Sequence, residues 1–404
     1  MPQPPRLSRR AVEMPASPIR RLAPFAVEAR KAGKTIYALN IGQPDIPTPR
    51  EILDRLRAYD ERNVPYGPSQ GLPEFIETLR AYYSRAGLEV ASEEIFVTTG
   101  GSEAILFVLA ALADAGDEVL VFEPFYTNYN GFAALIGVGL VPVTTHAEDG
   151  YHLPPREAIE AKIGPRTRAI LICSPNNPTG TVYTDDEMER LGAICRDRGL
   201  YLISDEVYRE FAYDGRRQRS ALTLPGLESR VVMVDSLSKR VSLCGIRVGN
   251  IVSRNRDLMA AVLKFGQARL CPPTLGQFAA CALGDVPPSY IEGVVREYQR
   301  RRDVVYEGLS MAPGVLVRKP EGAFYLCAKL PVDDAERFAI FMLRDFALDG
   351  ETVMVAPADG FYATPGLGRD EIRIAYVLEE AKLARAMKIL SAALRAYPGK
   401  VLAV

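Results

Sequence analysis

Alternation of helical and strand-like segments between residues 90 and 270 constrains the fold of this chain most. Apolar residues recur at helical spacing over 102–114 and over 185–199, and each stretch is followed by a short apolar run. The strand-like runs cover 117–122, 200–205, 230–236 and 248–253. Such alternation is typical of an α/β protein, so the sequence predicts a mostly parallel sheet covered by helices on both faces.

Chain length and a change in pattern predict two domains. The chain has 404 residues, whereas a single core usually stops growing at about 250–300 residues. From about residue 289 a long charged helix leads into short strands and amphipathic helices, which suggests a smaller α+β domain. We therefore expect an N-terminal arm and part of the small domain in 1–60, the large domain in 61–288 and the small C-terminal domain in 289–404.

Charge and cysteine usage exclude several classes of protein. The net charge of −1 gives no overall attraction to nucleic acid or to an acidic membrane surface. Six cysteines without a C-x-x-C pair and two histidines predict no metal site, and they favour a cytoplasmic protein with reduced thiols. No apolar run approaches the ~18–20 residues of a membrane span.

The first 21 residues are rich in arginine and proline. The arginines resemble those of an organellar targeting peptide, but prolines disfavour the amphipathic helix that such a peptide forms. We therefore expect a disordered or partner-clasping arm, with targeting as the alternative.

Three strand-like runs end in unusual polar residues. The motifs are "SPNNPTG" (174–180), "SDEVY" (204–208) and "SLSKR" (236–240). Taken singly, Asn177 could be a turn residue, Asp205 a helix cap and Lys239 a surface charge. Ligands of open α/β sheets, however, bind beyond the carboxyl ends of the strands, so the three motifs together indicate a ligand site.

The residue types favour a cofactor that carries an aldehyde and a phosphate. The amine of Lys239 could form a Schiff base with the aldehyde, and Asp205 could keep a pyridine nitrogen protonated. The glycine-led helix start "GGSEA" (100–104) and Arg247 could both bind phosphate. The sequence therefore predicts a pyridoxal phosphate site.

The same motifs resemble those of the class I/II pyridoxal-phosphate-dependent aminotransferases. The stretch "SLSKRVSLCGIRVG" (236–249) resembles the lysine signature of that family at every constrained position, and the other two motifs match companion signatures. The resemblance extends from "NIGQPD" at residue 40 to "IRIAY" at residue 376. It implies an aspartate aminotransferase-like fold, in which a mostly parallel seven-stranded sheet forms a large domain beside a smaller α+β domain.

The resemblance also implies roles for individual residues. Lys239 would be the Schiff-base lysine, Asp205 would contact the pyridine nitrogen, and Tyr208 and Asn177 would contact the ring oxygen, with Lys239, Asp205 and Tyr208 as the catalytic set. The implied phosphate ligands are Gly101, Ser102, Ser236, Ser238 and Arg247. Tyr126 would stack on the cofactor ring, and the Asn177–Pro178 bond would be cis, as is frequent in relatives.

Substrate and subunit contacts follow from the same resemblance. Gly42, Asn177 and Arg373 would bind the substrate, with Arg373 on its α-carboxylate. Tyr66 would reach the cofactor phosphate of the neighbouring subunit, which implies a homodimer with shared active sites.

The implied activity is a ping-pong transfer of an amino group from an L-amino acid to a 2-oxo acid such as 2-oxoglutarate. An aspartate-like donor is favoured. Its distal carboxylate needs a second cation, and Arg269 is one candidate, although a surface position is the simpler interpretation of that arginine. Ser102 stands where some bacterial aspartate enzymes have lysine, so aromatic, alanine or kynurenine-type donors stay open.

Two other classes share these motifs. A pyridoxal-phosphate-dependent lyase, such as a C–S β-lyase or an aminocyclopropane-carboxylate synthase-like enzyme, would use every cofactor residue named above. The effector domain of a transcription regulator would need a DNA-binding module, and the segment before Asn40 shows no helix-turn-helix pattern.

Overall fold

The computed structural model describes residues 5–15 and 17–401. Its strands are β1 (Thr35–Ala38), β2 (Ile95–Thr98), β3 (Glu118–Glu123), β4 (Gly139–Thr144), β5 (Thr167–Cys173), β6 (Tyr201–Asp205), β7 (Val231–Ser236), β8 (Gly249–Val252), β9 (Leu316–Val317), β10 (Tyr325–Lys329), β11 (Glu351–Met354), β12 (Ala356–Pro357) and β13 (Glu371–Ala375). Its α-helices are α1 (Arg9–Glu13), α2 (Ala23–Lys31), α3 (Arg50–Arg57), α4 (Pro73–Arg85), α5 (Gly100–Leu112), α6 (Asn128–Ile136), α7 (Arg156–Glu160), α8 (Asp185–Arg198), α9 (Leu237–Arg240), α10 (Arg256–Arg269), α11 (Thr274–Ala280), α12 (Pro288–Ser310), α13 (Ala335–Arg344) and α14 (Glu380–Ala396). Within the described ranges, no helix combines the length and the apolar character needed to cross a membrane.

The largest sheet has seven strands in the order β2-β8-β7-β6-β5-β3-β4. All neighbouring pairs from β7 to β4 run parallel, whereas β8 runs antiparallel to both β7 and β2. The four strand-like runs read from the sequence correspond to β3, β6, β7 and β8. The prediction of a mostly parallel seven-stranded sheet is therefore confirmed.

Strands β5, β6 and β7 are direct neighbours, and this order brings the three polar motifs together. Cys173, the last residue of β5, is paired with Asp205, the last residue of β6. Asp205 is in turn paired with Val234 of β7, two residues before Ser236 ends that strand. Since the three strands are parallel, their carboxyl ends meet at one edge of the sheet.

A four-stranded antiparallel sheet, ordered β12-β13-β10-β9, and the parallel pair β1-β11 lie outside the large sheet. Their apolar core contains Leu39 from the beginning of the chain together with Tyr298, Phe324 and Leu390 from its second half, all fully buried. Both ends of the chain therefore contribute to this second core.

Described residues of the N-terminal arm contact the rest of the chain through a few hydrogen bonds, although residues 5–15 are exposed. Arg10 Nη1 donates to the carbonyl of Leu135 at 2.9 Å, and Arg21 Nη2 bonds both carboxylate oxygens of Asp359 at 2.9 Å. Pro18 begins a short 3₁₀ helix of one turn, Pro18–Arg20. Proline is tolerated at this position because the first helical N–H has no partner.

Candidate active site

A cavity of about 480 Å³ opens at the carboxyl ends of β5, β6 and β7. Tyr325 of β10 and Arg373 of β13 form part of its wall, so the second sheet also contributes to the cavity. Twelve of the site residues predicted from the sequence line it: Gly42, Gly101, Ser102, Tyr126, Asn177, Asp205, Tyr208, Ser236, Ser238, Lys239, Arg247 and Arg373.

Lys239 lies on α9, the single helical turn that follows β7. Ser236 caps this turn, since its Oγ accepts a hydrogen bond from Ser238 N at 3.2 Å. The Lys239 Nζ donates to the carbonyl of Gly42 at 2.8 Å and makes no ion pair with any described carboxylate. Directly next to it, Arg240 forms a fully buried ion pair with Asp235 that fixes the turn.

Asp205 is a buried carboxylate at the base of the cavity. Its Oδ2 accepts a hydrogen bond from Tyr129 Oη at 2.7 Å, and its burial raises the pKa of the carboxyl group to about 6. Throughout the described ranges, no lysine, arginine or histidine pairs with it. A buried carboxylate without a cation is suited to a ligand that supplies one.

A group of residues that could bind an anion lies at the N-terminus of α5, and we call it the cradle. Gly101 and Ser102 stand in the first turn of this 13-residue helix, where backbone N–H groups have no helical partner. Gly100 has φ +74°, and a Cβ at this position would collide with the guanidinium of Arg247. The Ser236 and Ser238 hydroxyls, 2.8 Å apart, complete the cradle.

Arg373 is buried in the central region of the second sheet, with 2% of its surface exposed. Its Nη2 donates to the carbonyl of Asn40 at 2.6 Å and its Nη1 donates to Asn177 Oδ1 at 3.1 Å, while its buried Nε has no hydrogen-bond partner among the described residues. The rings of Tyr325 and Phe361 lie 4.6 and 4.8 Å from its Cζ. Arg373 is therefore not a surface residue, and its charge meets no carboxylate in the described structure.

Three tyrosines also line the cavity, namely Tyr126, Tyr208 and Tyr325. Tyr208 Oη lies 3.0 Å from Tyr325 Oη, and burial raises the pKa of Tyr208 well above its ordinary value. Tyr126 Oη accepts a hydrogen bond from Asn128 Nδ2 at 2.8 Å, and burial raises the pKa of Tyr126 to about 12. Both hydroxyls therefore stay protonated at neutral pH.

Glycine at position 42 is required by close packing. A Cβ at Gly42 would collide with the hydroxyl of Tyr325, so a larger residue would displace either the Tyr325 ring or the carbonyl that accepts from Lys239.

The expectation of a cis Asn177–Pro178 bond is wrong. In the described structure the cis bonds are Glu123–Pro124 and Ser174–Pro175. The second lies at the start of the same SPNNPTG motif, where the chain leaves β5.

Two candidates lie outside the cavity lining. Tyr66 is 81% exposed. Arg269 pairs with Glu103 at 3.4 Å and donates to the carbonyl of Ser69 at 3.2 Å, with 15% of its side chain exposed. It is therefore neither part of the cavity nor a free surface arginine.

Sequence reasoning missed several residues of the wall. Tyr325 of the wall stands in "GAFY", and Tyr129, which bonds Asp205 but does not line the cavity, stands in "EPFYTNY", so local patterns could have pointed to both. Ser17, Ile19 and Arg20 of the N-terminal arm also line the cavity, and no motif signals them.

Pyridoxal phosphate fits this set of groups. The unpaired buried carboxylate of Asp205 complements a protonated ring nitrogen, and the amine of Lys239 is available to an aldehyde. The N-terminus of α5 with Arg247 complements a phosphate dianion.

The sequence matches the family model described as "Aminotransferase class I and II" over residues 34–390. It is 31% identical to the aspartate/prephenate aminotransferase of Thermus thermophilus over 388 residues, which cover 95% of this chain and 97% of that relative. Among solved structures, aspartate aminotransferase from Thermus thermophilus with maleate has a TM-score of 0.87 at 30% identity and covers 96% of this chain and 100% of its own. The alanine aminotransferase from Pyrococcus furiosus has a TM-score of 0.88 at 29% identity and covers 97% of this chain and 100% of its own.

Proposed function

Because this chain belongs to the class I and II aminotransferases, which use pyridoxal phosphate, we propose that it moves the amino group of an aspartate-like L-amino acid to a 2-oxo acid such as 2-oxoglutarate. The reaction is ping-pong, with the amino acid and the 2-oxo acid using the same cavity in turn. The observation that carries the proposal is the meeting of Lys239, Asp205 and Arg373 in one cavity.

Different residues of the cavity would bind different parts of the cofactor. Lys239 would bind it through Nζ, Asp205 would face the ring nitrogen, Tyr126 would stack on the ring, and Asn177 and Tyr208 would bind the ring oxygen. The phosphate would be bound by Gly101, Ser102, Ser236, Ser238 and Arg247. When bound, the cofactor supplies an electron sink for bond breaking at the substrate α-carbon.

Substrate binding and proton movement depend on three residues. Arg373 binds the α-carboxylate through its planar guanidinium, and its hydrogen bond to Asn177 keeps that plane in place. Gly42 gives the substrate close access to backbone. Lys239 Nζ then moves the α-proton, and its contact with the Gly42 carbonyl positions the amine on this side of the cavity.

An aspartate-like donor is supported by the names of relatives. Several relatives at 29–31% identity are aspartate aminotransferases, among them those of Geobacillus stearothermophilus and Bacillus subtilis. The alanine aminotransferase among the similar structures keeps a small monocarboxylic donor as the competing possibility.

The proposal includes a homodimer with shared active sites. Tyr66, which is exposed and absent from its own chain's cavity, reaches the cofactor phosphate of the neighbouring subunit. The nearby Val64, 55% exposed, gives this loop an apolar surface for the contact. The six unpaired cysteines support a cytoplasmic location.

The proposal also divides the chain into the two domains expected from its sequence. Residues 61–288 form the large domain, and residues 1–60 and 289–404 form the arm and the small domain. The separate sheets and the core shared by both chain ends support this division. The experimental check is limited proteolysis, which should cut between these units before it cuts within them.

The test is a half-reaction of the holoenzyme with one amino acid at a time and no acceptor. Aspartate, glutamate, alanine, phenylalanine, kynurenine and cysteine are compared by product analysis. Transamination yields about one 2-oxo acid per active site and then stops until 2-oxoglutarate is added. Continuous release of ammonia and pyruvate without an acceptor would instead establish a lyase.

A further inference from the structure

Four cations line the cavity: Arg20, Lys239, Arg247 and Arg373. The proposed function assigns Lys239 and Arg247 to the cofactor and Arg373 to the substrate α-carboxylate. Arg20 has no assigned role, and its side chain has no hydrogen-bond or ion-pair partner within residues 5–15 and 17–401. An arginine at the wall of a substrate cavity is thus left without a counter-charge.

The residues on both sides of Arg20 are anchored to the body of the protein. Pro18 packs so closely on Gly360 that a Cβ there would overlap the proline ring. Ile19 packs against the apolar cluster of Ala356, Ala358, Phe361 and Tyr362. On the other side, Arg21 binds Asp359 and lies 3.4 Å from Glu336. Arg20 is therefore held at the cavity by its neighbours and not by its own side chain.

The anchor of the arm is also part of the environment of Arg373. The Phe361 ring that belongs to the cluster under Ile19 lies 4.8 Å from the Arg373 guanidinium. Arg20 and Arg373 are thus placed relative to each other through one aromatic residue. A substrate held at its α-carboxylate by Arg373 would have its side chain within the same cavity as Arg20.

The charge of the remaining wall favours an anionic side chain. Asp205 is the one carboxylate among the cavity-lining residues of the described chain, and it faces the cofactor ring in the proposed function. Apart from Asp205 and the four cations, the described lining is uncharged, with Ser17, Ile19, Ile41, Asn128 and Phe132 among its residues. The carboxylates nearest the arm, Asp359 and Glu336, pair with Arg21, so Arg20 would attract an acidic group without competition from another carboxylate of the cavity wall.

We propose that Arg20 is a specificity-determining residue that binds the side-chain carboxylate of dicarboxylic substrates. This inference rests on the proposed function and deepens it. The substrates are amino acids and 2-oxo acids that carry a second carboxylate, which the guanidinium can hold through two parallel hydrogen bonds. Arg20 fills the position of the second cation for which Arg269 was a candidate.

The experiment compares the holoenzyme and its variants by kcat/KM for aspartate and glutamate against alanine and phenylalanine. Arg20→Gln removes the charge, Arg20→Lys keeps it without the planar fork, and Arg30→Gln is the matched control. Arg30 is exposed on α2, lines no part of the cavity, and its side chain has no partner among the described residues. R20Q should lower kcat/KM for the acidic donors roughly 10- to 100-fold, as expected for loss of a charged hydrogen bond.

In R20Q, kcat/KM for alanine and phenylalanine should be unchanged. In R20K, kcat/KM for the acidic donors should lie between those of wild type and R20Q, and R30Q should behave as wild type. A second readout is direct binding of succinate and butyrate to the holoenzyme, since neither is an amino donor. R20Q should weaken the binding of succinate and leave that of butyrate unchanged.

Equal losses for acidic and neutral donors, or no loss for either, would overturn the role of Arg20 and leave the proposed function standing. A wild-type enzyme that prefers alanine over aspartate and glutamate would also overturn it. If wild type forms no 2-oxo acid from any donor, the proposed function itself fails, whatever R20Q does.

Discussion

Tyr129 Oη donates a 2.7 Å hydrogen bond to Asp205 Oδ2, and both side chains are buried. The bond stabilises the ionised carboxylate against its desolvation, which otherwise favours the protonated acid. It also leaves the other oxygen, Oδ1, without a side-chain donor in the described structure. Tyr129 thus positions the carboxylate to which the proposed function assigns the ring nitrogen of the cofactor.

Removing this hydroxyl should weaken cofactor binding. Tyr129→Phe leaves Asp205 less able to stay ionised, so the dissociation constant of pyridoxal phosphate should rise roughly 5- to 30-fold. The measurement is cofactor release during dialysis, followed by absorbance. Tyr126→Phe is the control, because its hydroxyl bonds Asn128 and not Asp205. Equal effects of the two variants would contradict this role of Tyr129.

The raised pKa of Asp205 should appear in the stability of the cofactor-free enzyme. Its carboxyl group keeps its proton up to about pH 6 in the folded state but has an ordinary value of 3.8. The folded state therefore binds the extra proton between these values, and the free energy of unfolding should fall as pH rises through this window.

Asp205→Asn should abolish this part of the pH dependence. Urea unfolding of the two cofactor-free proteins between about pH 4 and 7 should show D205N gaining stability relative to wild type as pH rises. The same variant should lose most transaminase activity, because it cannot hold a protonated ring nitrogen. Parallel pH curves for the two proteins would be inconsistent with the raised pKa.

His152 should contribute a pH-dependent stability outside the cavity. Hydrogen bonds to Glu187 and Glu321 raise the pKa of His152 to about 9, and its partners have lowered pKa values despite their burial. The contribution of His152 to the free energy of unfolding is fully present below its ordinary pKa of 6.5 and is lost as pH rises through about 9. The contribution of Glu187 and Glu321 to the free energy of unfolding is lost at acidic pH, as pH falls through their lowered pKa values.

His152→Gln should therefore destabilise the protein most near pH 6 and little above about pH 10. Thermal or urea unfolding over this range measures the difference from wild type. His146→Gln is the matched control, since His146 is exposed and its side chain has no partner in the described structure. A destabilisation by H152Q that is independent of pH would refute the charged pair.

Loosening the anchor of the arm should reduce selectivity without removing Arg20. Asp359→Asn weakens the contact with Arg21, whose side chain and that of Asp359 are 39% and 41% exposed. Because such exposed pairs contribute little, the ratio of kcat/KM for aspartate over alanine should fall only about two- to fivefold. Arg57→Gln, which breaks the exposed pair with Asp54 on α3, should leave the ratio unchanged. No change in D359N would mean that the packing of Pro18 and Ile19 alone positions Arg20.

Shared active sites predict complementation between two inactive variants. Lys239→Ala removes the reacting amine, and Tyr66→Ala removes the contact with the neighbouring subunit, so each homodimer should have low activity. Mixed dimers contain one site with both defects and one intact site. Unfolding and refolding the two variants together should therefore restore part of the wild-type activity, whereas activity no higher than the sum of the separate variants would exclude sharing.

The strand ends and many residues of the cavity could be predicted because their signals are local. Asn177, Asp205 and Lys239 each follow an apolar run, and parallel pairing of neighbouring strands is sufficient to bring them together. The same short-range reasoning marked Gly101 and Arg247. The order and direction of the strands in the large sheet therefore account for where these residues lie.

Arg20 could not be predicted, because its position depends on contacts between distant parts of the chain. Arg21 and Asp359 are 338 residues apart in sequence, and no local pattern signals their pairing. The error on Arg269 has the same origin, since its contact with Glu103 joins α10 to α5 across the fold. The cis bond at Ser174–Pro175 could not be distinguished from one at Asn177–Pro178, because both prolines of the motif end the strand pattern equally well.

The position of Arg20 in the arm, away from the strand ends that bear the reacting groups, has an evolutionary consequence. If Arg20 selects the donor as proposed, exchanges in the arm alter which donor is accepted while Lys239, Asp205 and the N-terminus of α5 stay the same. Descendants of one gene would then diverge in substrate specificity before they diverge in reaction chemistry, through a few substitutions near one end of the chain.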